Sequence, residues 1–144
     1  KKKKMMVKLP TTAPSVSGKT YRLMFVGVGF PGNNLAMTNT TFGSTITMNS
    51  ETEATVTTRT AEFSMAGLGG DIQIEKSDEA TAEDATVDIS ANGAAAIIVG
   101  DDSAETTYFV GYFNESGSLG IFRTIYTNDL NPEELGMAIL IELP

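Results

Sequence analysis

The sequence predicts an all-β fold: an antiparallel, mostly up-and-down β-barrel, or a closely related β-sandwich, of about 8–10 strands. Three observations predict it. Apolar residues recur at every second position, not every 3.6, from Lys19 to the C-terminus. Nineteen threonines and 14 glycines supply a strand former and a residue that tolerates tight turns and strong coiling. Short turn sequences punctuate the alternating runs at close spacing.

The elements follow in order. Tyr21, Leu23 and Phe25 alternate with Arg22, Met24 and Val26. Ile46 and Met48 sit among Thr45, Thr47 and Asn49, and Ala54 with Val56 continues the alternation. Ala61, Phe63 and Met65 form the next run, then Ile72 and Ile74. Glu75–Asp88 is rich in acids and predicts a solvated loop, with a short helical turn around Ala80–Asp84 as the alternative. Ala85, Val87 and Ile89 lead to Asn92-Gly93, a hairpin signal of type I′, which needs positive φ at both positions. Ala95–Gly100 is apolar on both faces. Tyr108, Val110 and Tyr112 oppose Phe109, Gly111 and Phe113 before a turn at Asn114–Gly117. Leu119, Ile121, Arg123 and Ile125 then alternate with Gly120, Phe122, Thr124 and Tyr126. Asn131-Pro132-Glu133-Glu134 is the best helix start in the chain, with a cap residue, Pro at the first position and acids behind it. Gly136 ends that turn, and Met137, Ile139, Ile141 and Leu143 close the chain as a strand.

Charge divides the chain unevenly. The net charge is −8, but residues 1–22 carry seven bases and no acid. The rest carries Arg59, Lys76, Arg123 and all 18 acids, a +7 segment ahead of a −15 body. Residues 1–18 therefore read as a basic N-terminal arm and linker, and 19–144 as a single all-β domain. Lys8 and Pro10 break the apolar run that a secretory signal would need after its lysines. No stretch reaches the roughly 20 apolar residues of a membrane-spanning helix.

The residue types exclude most chemistry. Without Cys there is no thiol nucleophile, disulfide or thiolate metal site. Without His the commonest general base and metal ligand are gone, and with them the Ser-His-Asp triad. Gly27-Val28-Gly29-Phe30-Pro31-Gly32 spells G-x-G-x-x-G, but a Thr-rich segment follows where a dinucleotide site needs a helix. Ala13–Thr20 imitates a phosphate loop with a linker before it and a strand after it, the wrong context for that motif. The carboxylates fall in predicted turns, where charge means solvation, and no Trp is present to stack on a sugar. The expectation is a protein that is not an enzyme and holds no cofactor. Asp101, Asp102 and Glu105 form the best local oxygen cluster for calcium, the one weak metal candidate.

The strings SGKTYRL (17–23), STITMNSETEATVT (44–57), DISANGAAAIIVG (88–100) and TTYFVGYFNESGSLGIF (106–122) resemble, in their spacing, lipocalin-like, calycin-type domains of secreted proteins. In place of the family's Gly-x-Trp signature the chain has Gly18-Lys19-Thr20-Tyr21. The resemblance covers 17–143 and implies an eight- to ten-stranded barrel with an apolar ligand cavity.

Two functions follow as expectations. One is a secreted or cell-surface structural subunit that self-assembles, as in a filament, coat or virion. Its contacts would be sheet edges and the arm residues Lys1, Lys2, Lys3, Lys4, Met5, Met6, Val7, Lys8 and Leu9, attracted to an acidic body. The other is a lipocalin-like barrel binding a small apolar or anionic ligand. Phe25, Phe63, Tyr108, Tyr112, Phe122, Arg123 and Tyr126 would line its cavity. Arg123 is a buried cation only if its face is the interior; otherwise it points outward to pair with a carboxylate. Nucleic acid is not expected as a partner, because the arm lacks interleaved aromatics.

Overall fold

The computed structural model describes residues 9–29, 37–58, 60–65, 72–76, 81–100, 105–128 and 131–144. Ten antiparallel strands run in chain order: β1 Thr20–Gly29, β2 Met37–Met48, β3 Glu53–Thr58, β4 Thr60–Met65, β5 Ile72–Lys76, β6 Thr81–Ile89, β7 Ala94–Val99, β8 Glu105–Phe113, β9 Leu119–Asn128 and β10 Asn131–Glu142. The order β1-β10-β9-β8-β7-β6-β3-β2 is closed by a further pairing of β1 with β2. Eight strands thus form a closed barrel. β4 extends β3 along β2 in one register, with Thr45 opposite Thr57 and Phe42 opposite Thr60. β5 lies beside β4 as β6 lies beside β3. With β3 and β4 counted as successive lengths of one ring strand, and β5 and β6 as lengths of the next, each ring strand pairs with its successor along the chain, which makes the barrel an up-and-down meander.

Two local expectations change. Asn131–Gly136 is the start of β10, not a helical turn. Closing the ring requires this segment to pair with β9 on one side and β1 on the other, and those ladders outweigh a capping signal one turn long. The register shifts between Pro132 and Glu134, an irregularity that accommodates a proline without a ladder donor. The acid-rich stretch likewise enters β6 from Thr81 onward, because Ala85 and Val87 need the core.

The hairpin at Asn92-Gly93 forms, but not as type I′. Only Gly93 has positive φ, at 78°, and its N–H donates to Ser90 O at 2.9 Å. That is a turn ending in one left-handed glycine, which joins β6 to β7 with the same strand twist.

Alternation fills the interior with Tyr21, Leu23, Phe25, Ile46, Met48, Val56, Val87, Ile97, Phe109, Phe113, Phe122 and Leu140. Phe113 packs between Tyr21 and Phe122, with ring centroids 5.7 and 5.3 Å away. Gly120 makes room for this cluster: a Cβ there would lie 2.5 Å from the Phe122 ring and 3.0 Å from the Phe113 ring.

The segment before β1 closes the base of the barrel. Pro10, Pro14 and Val16 are buried, and Val16 belongs to the core. Gly18 N–H donates to Met48 O at 2.8 Å, and Lys19 Nζ binds both Ser116 O at 2.8 Å and Glu142 Oε2 at 3.1 Å. The end of β2, the turn between β8 and β9 and the end of β10 are thereby tied to one short stretch of chain.

Candidate interaction surface

The side chains that could serve function are those the barrel turns outward. β1 buries Tyr21, Leu23 and Phe25 and presents Arg22, Met24 and Val26. β10 buries Ala138 and Leu140 and presents Met137, Ile139 and Ile141. β9 buries Phe122 and Thr124 and presents Ile121 and Arg123. β8 buries Phe109 and Phe113 and presents Tyr108, Val110 and Tyr112.

Register joins these into one wall. Tyr112 lies opposite Ile121, Ile121 opposite Ile139, and Ile139 opposite Met24. One step along, Val110, Arg123, Met137 and Val26 form a second row. Leu119, Ile141 and Arg22 form a third. Met137 is 55% exposed, Val26 51% and Val110 48%. β7 extends the wall with half-buried Ala94, Ala96 and Ile98. Five strands at about 4.8 Å and five residues at about 3.4 Å give a footprint of roughly 400 Å². Contiguous exposed apolar surface on that scale marks an interaction site more often than a scatter of single residues does. Its makeup of Tyr, Met, Ile and Arg, with no Lys, Asp or Glu among the outward residues named, matches the centre of a protein–protein contact.

Across the barrel the surface is different in kind. β2 and β3 present Thr45, Thr47, Thr55 and Thr57, with Thr45 opposite Thr57 and Thr47 opposite Thr55. Glu53 of β3 and Asp84, Thr86 and Asp88 of β6 are exposed beside them. A recess of about 330 Å³ opens here, lined by Asn49, Glu53, Ala54, Asp84, Ala85, Thr86 and Gly100. In the ring order, the β3–β6 seam stands four strands from the β9–β10 seam in either direction. The acidic face is therefore diametrically opposite the wall.

The residues singled out from the sequence fall into three groups. Phe25 and Phe122 are buried in the interior. Tyr108, Tyr112 and Arg123 point outward on the wall, so the structure does not bring them together with Phe25 and Phe122. The side chains of Phe63, Tyr126 and Glu105, on β4, β9 and β8, lie outside the described part, as do Asp101 and Asp102. Of the assembly residues, Lys1 to Lys8 also lie outside it, while Leu9 is 49% exposed. Leu9 precedes buried Pro10, which packs over Gly93 at the base of β7 and β8, beside the wall. Sequence reasoning missed the wall itself. The signal was present in the pairs Met24/Val26, Val110/Tyr112 and Met137/Ile139/Ile141, which alternate with apolar residues and leave both faces of those strands apolar.

The side chains of Arg123, Arg22, Glu53 and Asp84 have no hydrogen bond or ion pair with a described residue. Inside the barrel, Ser44 Oγ and Thr124 Oγ1 are buried without a hydrogen-bond partner among the described residues. Among the described residues, Tyr21 is the titratable group that its surroundings perturb. Burial pushes its phenol well above the ordinary value, and the carboxylates of Glu142 and Glu51 add to this. Its O–H donates to Gly117 O, which makes it a structural group. Among the described residues no three acids gather where a metal ion could sit, and no helix is long and apolar enough to cross a membrane. No protein-family model, curated protein or solved structure matches the chain.

Proposed function

We propose that this protein is a non-enzymatic structural subunit that self-associates, with the outer wall of β8, β9, β10 and β1 as its contact. The carrying observation is the wall: a closed barrel that already buries Tyr21, Leu23, Phe109, Phe113, Phe122 and Leu140 still leaves Met24, Val26, Val110, Tyr112, Ile121, Met137 and Ile141 exposed. Ring closure removes the edges of the ring strands as places for strand addition, which shifts the expected contact from sheet edge to sheet face. The charge of the basic arm adds attraction to an acidic neighbour. A secreted or cell-surface setting fits the same role. Sedimentation velocity over a hundredfold concentration range tests it. Self-association that is abolished by Ile121→Asp with Met137→Asp, at unchanged melting temperature, supports the reading. A monomer at every concentration rejects it.

A second reading, a lipocalin-like barrel holding a small ligand, draws on Ser44 Oγ and Thr124 Oγ1, two buried hydroxyls without partners among the described residues. A ligand would enter against the packing of Phe25 and Phe122. Native mass spectrometry of freshly purified protein tests it. A bound small molecule lost in Thr124→Val supports this reading, and bare protein together with no thermal shift in a lipid-extract screen rejects it.

A further inference from the structure

The wall and the acidic face carry complementary charge on opposite sides of one barrel. Arg123 stands inside the apolar wall, flanked in register by Val110 and Met137. A guanidinium buried in a contact of that kind needs a carboxylate across the interface, or its desolvation is uncompensated. Glu53 and Asp84 supply two at the recess, and Thr55, opposite Asp84, places them on adjacent strands. At about 330 Å³, against the roughly 10–15 Å³ that admits one water, the recess has room for a guanidinium and its stem.

Resting on the self-association reading, we infer that the wall of one copy seats on the acidic face of the next, with Arg123 entering the recess between Glu53 and Asp84. The outward threonines of β2 and β3 offer a β-branched surface, free of long side chains, for the wall's apolar rows to cover. A stable contact takes about 800 Å² from each partner. The wall supplies roughly half of that as an apolar centre, and the flanking turns form the polar rim. Because the two faces are diametrically opposed, the contact is heterologous and does not close on itself, so copies add head to tail in a row.

Two other occupants fit less well. A wall-to-wall dimer would bury Arg123 against apolar side chains and leave the recess outside the contact. An anionic bilayer would attract the two arginines and repel a body of charge −15.

Charge swaps decide between them, since Arg123, Glu53 and Asp84 are exposed and their replacement leaves the core intact. The probes are wild type, Arg123→Glu, and the double variant Glu53→Arg with Asp84→Arg, each run by sedimentation velocity at low ionic strength after a check of melting temperature. Species larger than dimers are expected for wild type, with association at least tenfold weaker in either variant alone. An equimolar mixture of the two is expected to regain growth beyond the dimer, because each offers the other a complementary pair of faces. If the double variant associates as wild type does, the contact is wall to wall; the head-to-tail arrangement is then wrong, while self-association stands. If wild type remains monomeric, both fall. Flotation of wild type with phosphatidylglycerol vesicles, without self-association, would also overturn the inference and name lipid as the partner.

Discussion

Tyr21 donates its phenolic hydrogen to the carbonyl of Gly117 at 2.5 Å, fastening the start of β1 to the turn between β8 and β9. The bond is buried, and it joins residues 96 positions apart at the base of the barrel. Tyr21→Phe keeps the ring beside Phe113 and leaves the Gly117 carbonyl without its donor. An unpaired buried acceptor costs about 1–2 kcal/mol, to be read from urea unfolding at pH 8.

The same bond sets a pH dependence. Burial raises the pKa of the Tyr21 phenol, so the folded chain keeps the proton while the unfolded chain loses it near pH 10. Above that pH the unfolded state binds fewer protons than the native state, and stability falls by up to about 1.4 kcal/mol per pH unit from this residue. Below it the contribution is fully present. The advantage of wild type over Tyr21→Phe should therefore shrink between pH 10 and 11.5. An advantage that stays constant over that interval would show that the phenol titrates normally.

Two glycines separate crowding from backbone strain. Gly120 has aromatic rings within 3.0 Å of where a Cβ would stand, whereas Gly18, at φ +78°, has nothing within 4 Å. Gly120→Ala forces Phe113 and Phe122 apart, and overpacking of this kind costs about 1–3 kcal/mol. Gly18→Ala pays only the left-handed penalty of about 1–2 kcal/mol. A near-ultraviolet signal changed in Gly120→Ala but not in Gly18→Ala would identify the aromatic cluster as the part that moves.

Much of this architecture is legible in the sequence, and its limits have physical causes. The period of two from Tyr21 to Phe25, or from Ala85 to Ile89, fixes strands because one face must be buried. Where both faces are apolar, as at Tyr108–Phe113 and Met137–Ile141, alternation identifies a strand but not which side is inside. Arg123 illustrates this: its companions Leu119 and Ile121 are as apolar as Phe122, and only closure of the ring puts Phe122 in and Arg123 out. Asn131–Gly136 shows the converse, a sound local helix signal overruled by two strand partners. The recess between Glu53 and Asp84 joins residues 31 positions apart in number, a neighbourhood that β3–β6 pairing creates and spacing does not encode.

The base of the barrel depends on a stretch that composition alone marks as linker. Val16 is fully buried and its carbonyl accepts from Lys19 N–H at 3.0 Å. A chain without residues 1–8 serves as the reference. Deleting residues 1–16 removes Pro10, Pro14 and Val16 and uncovers the core end. Burial of side chains this size is worth about 1.5–3 kcal/mol each, so a loss of at least about 3 kcal/mol is expected. Differential scanning calorimetry of both truncations checks it, and equal melting temperatures would mean the base is closed without the segment.

Tyr112 and Phe113 are consecutive residues with opposite roles. Phe113 is fully buried between two aromatic rings, while Tyr112 is 48% exposed on the wall. Phe113→Ala opens a cavity in the core and should cost about 3–5 kcal/mol. Tyr112→Ala removes a solvent-facing ring, which changes stability by about 0.5 kcal/mol or less. Self-association reverses the order: Tyr112→Ala should weaken it about tenfold, since aromatic anchors at the centre of a contact are worth upwards of 1 kcal/mol. Measuring unfolding and sedimentation on the same two variants separates folding from assembly. A Tyr112→Ala protein that associates as wild type does would remove β8 from the contact and confine the wall to β9, β10 and β1.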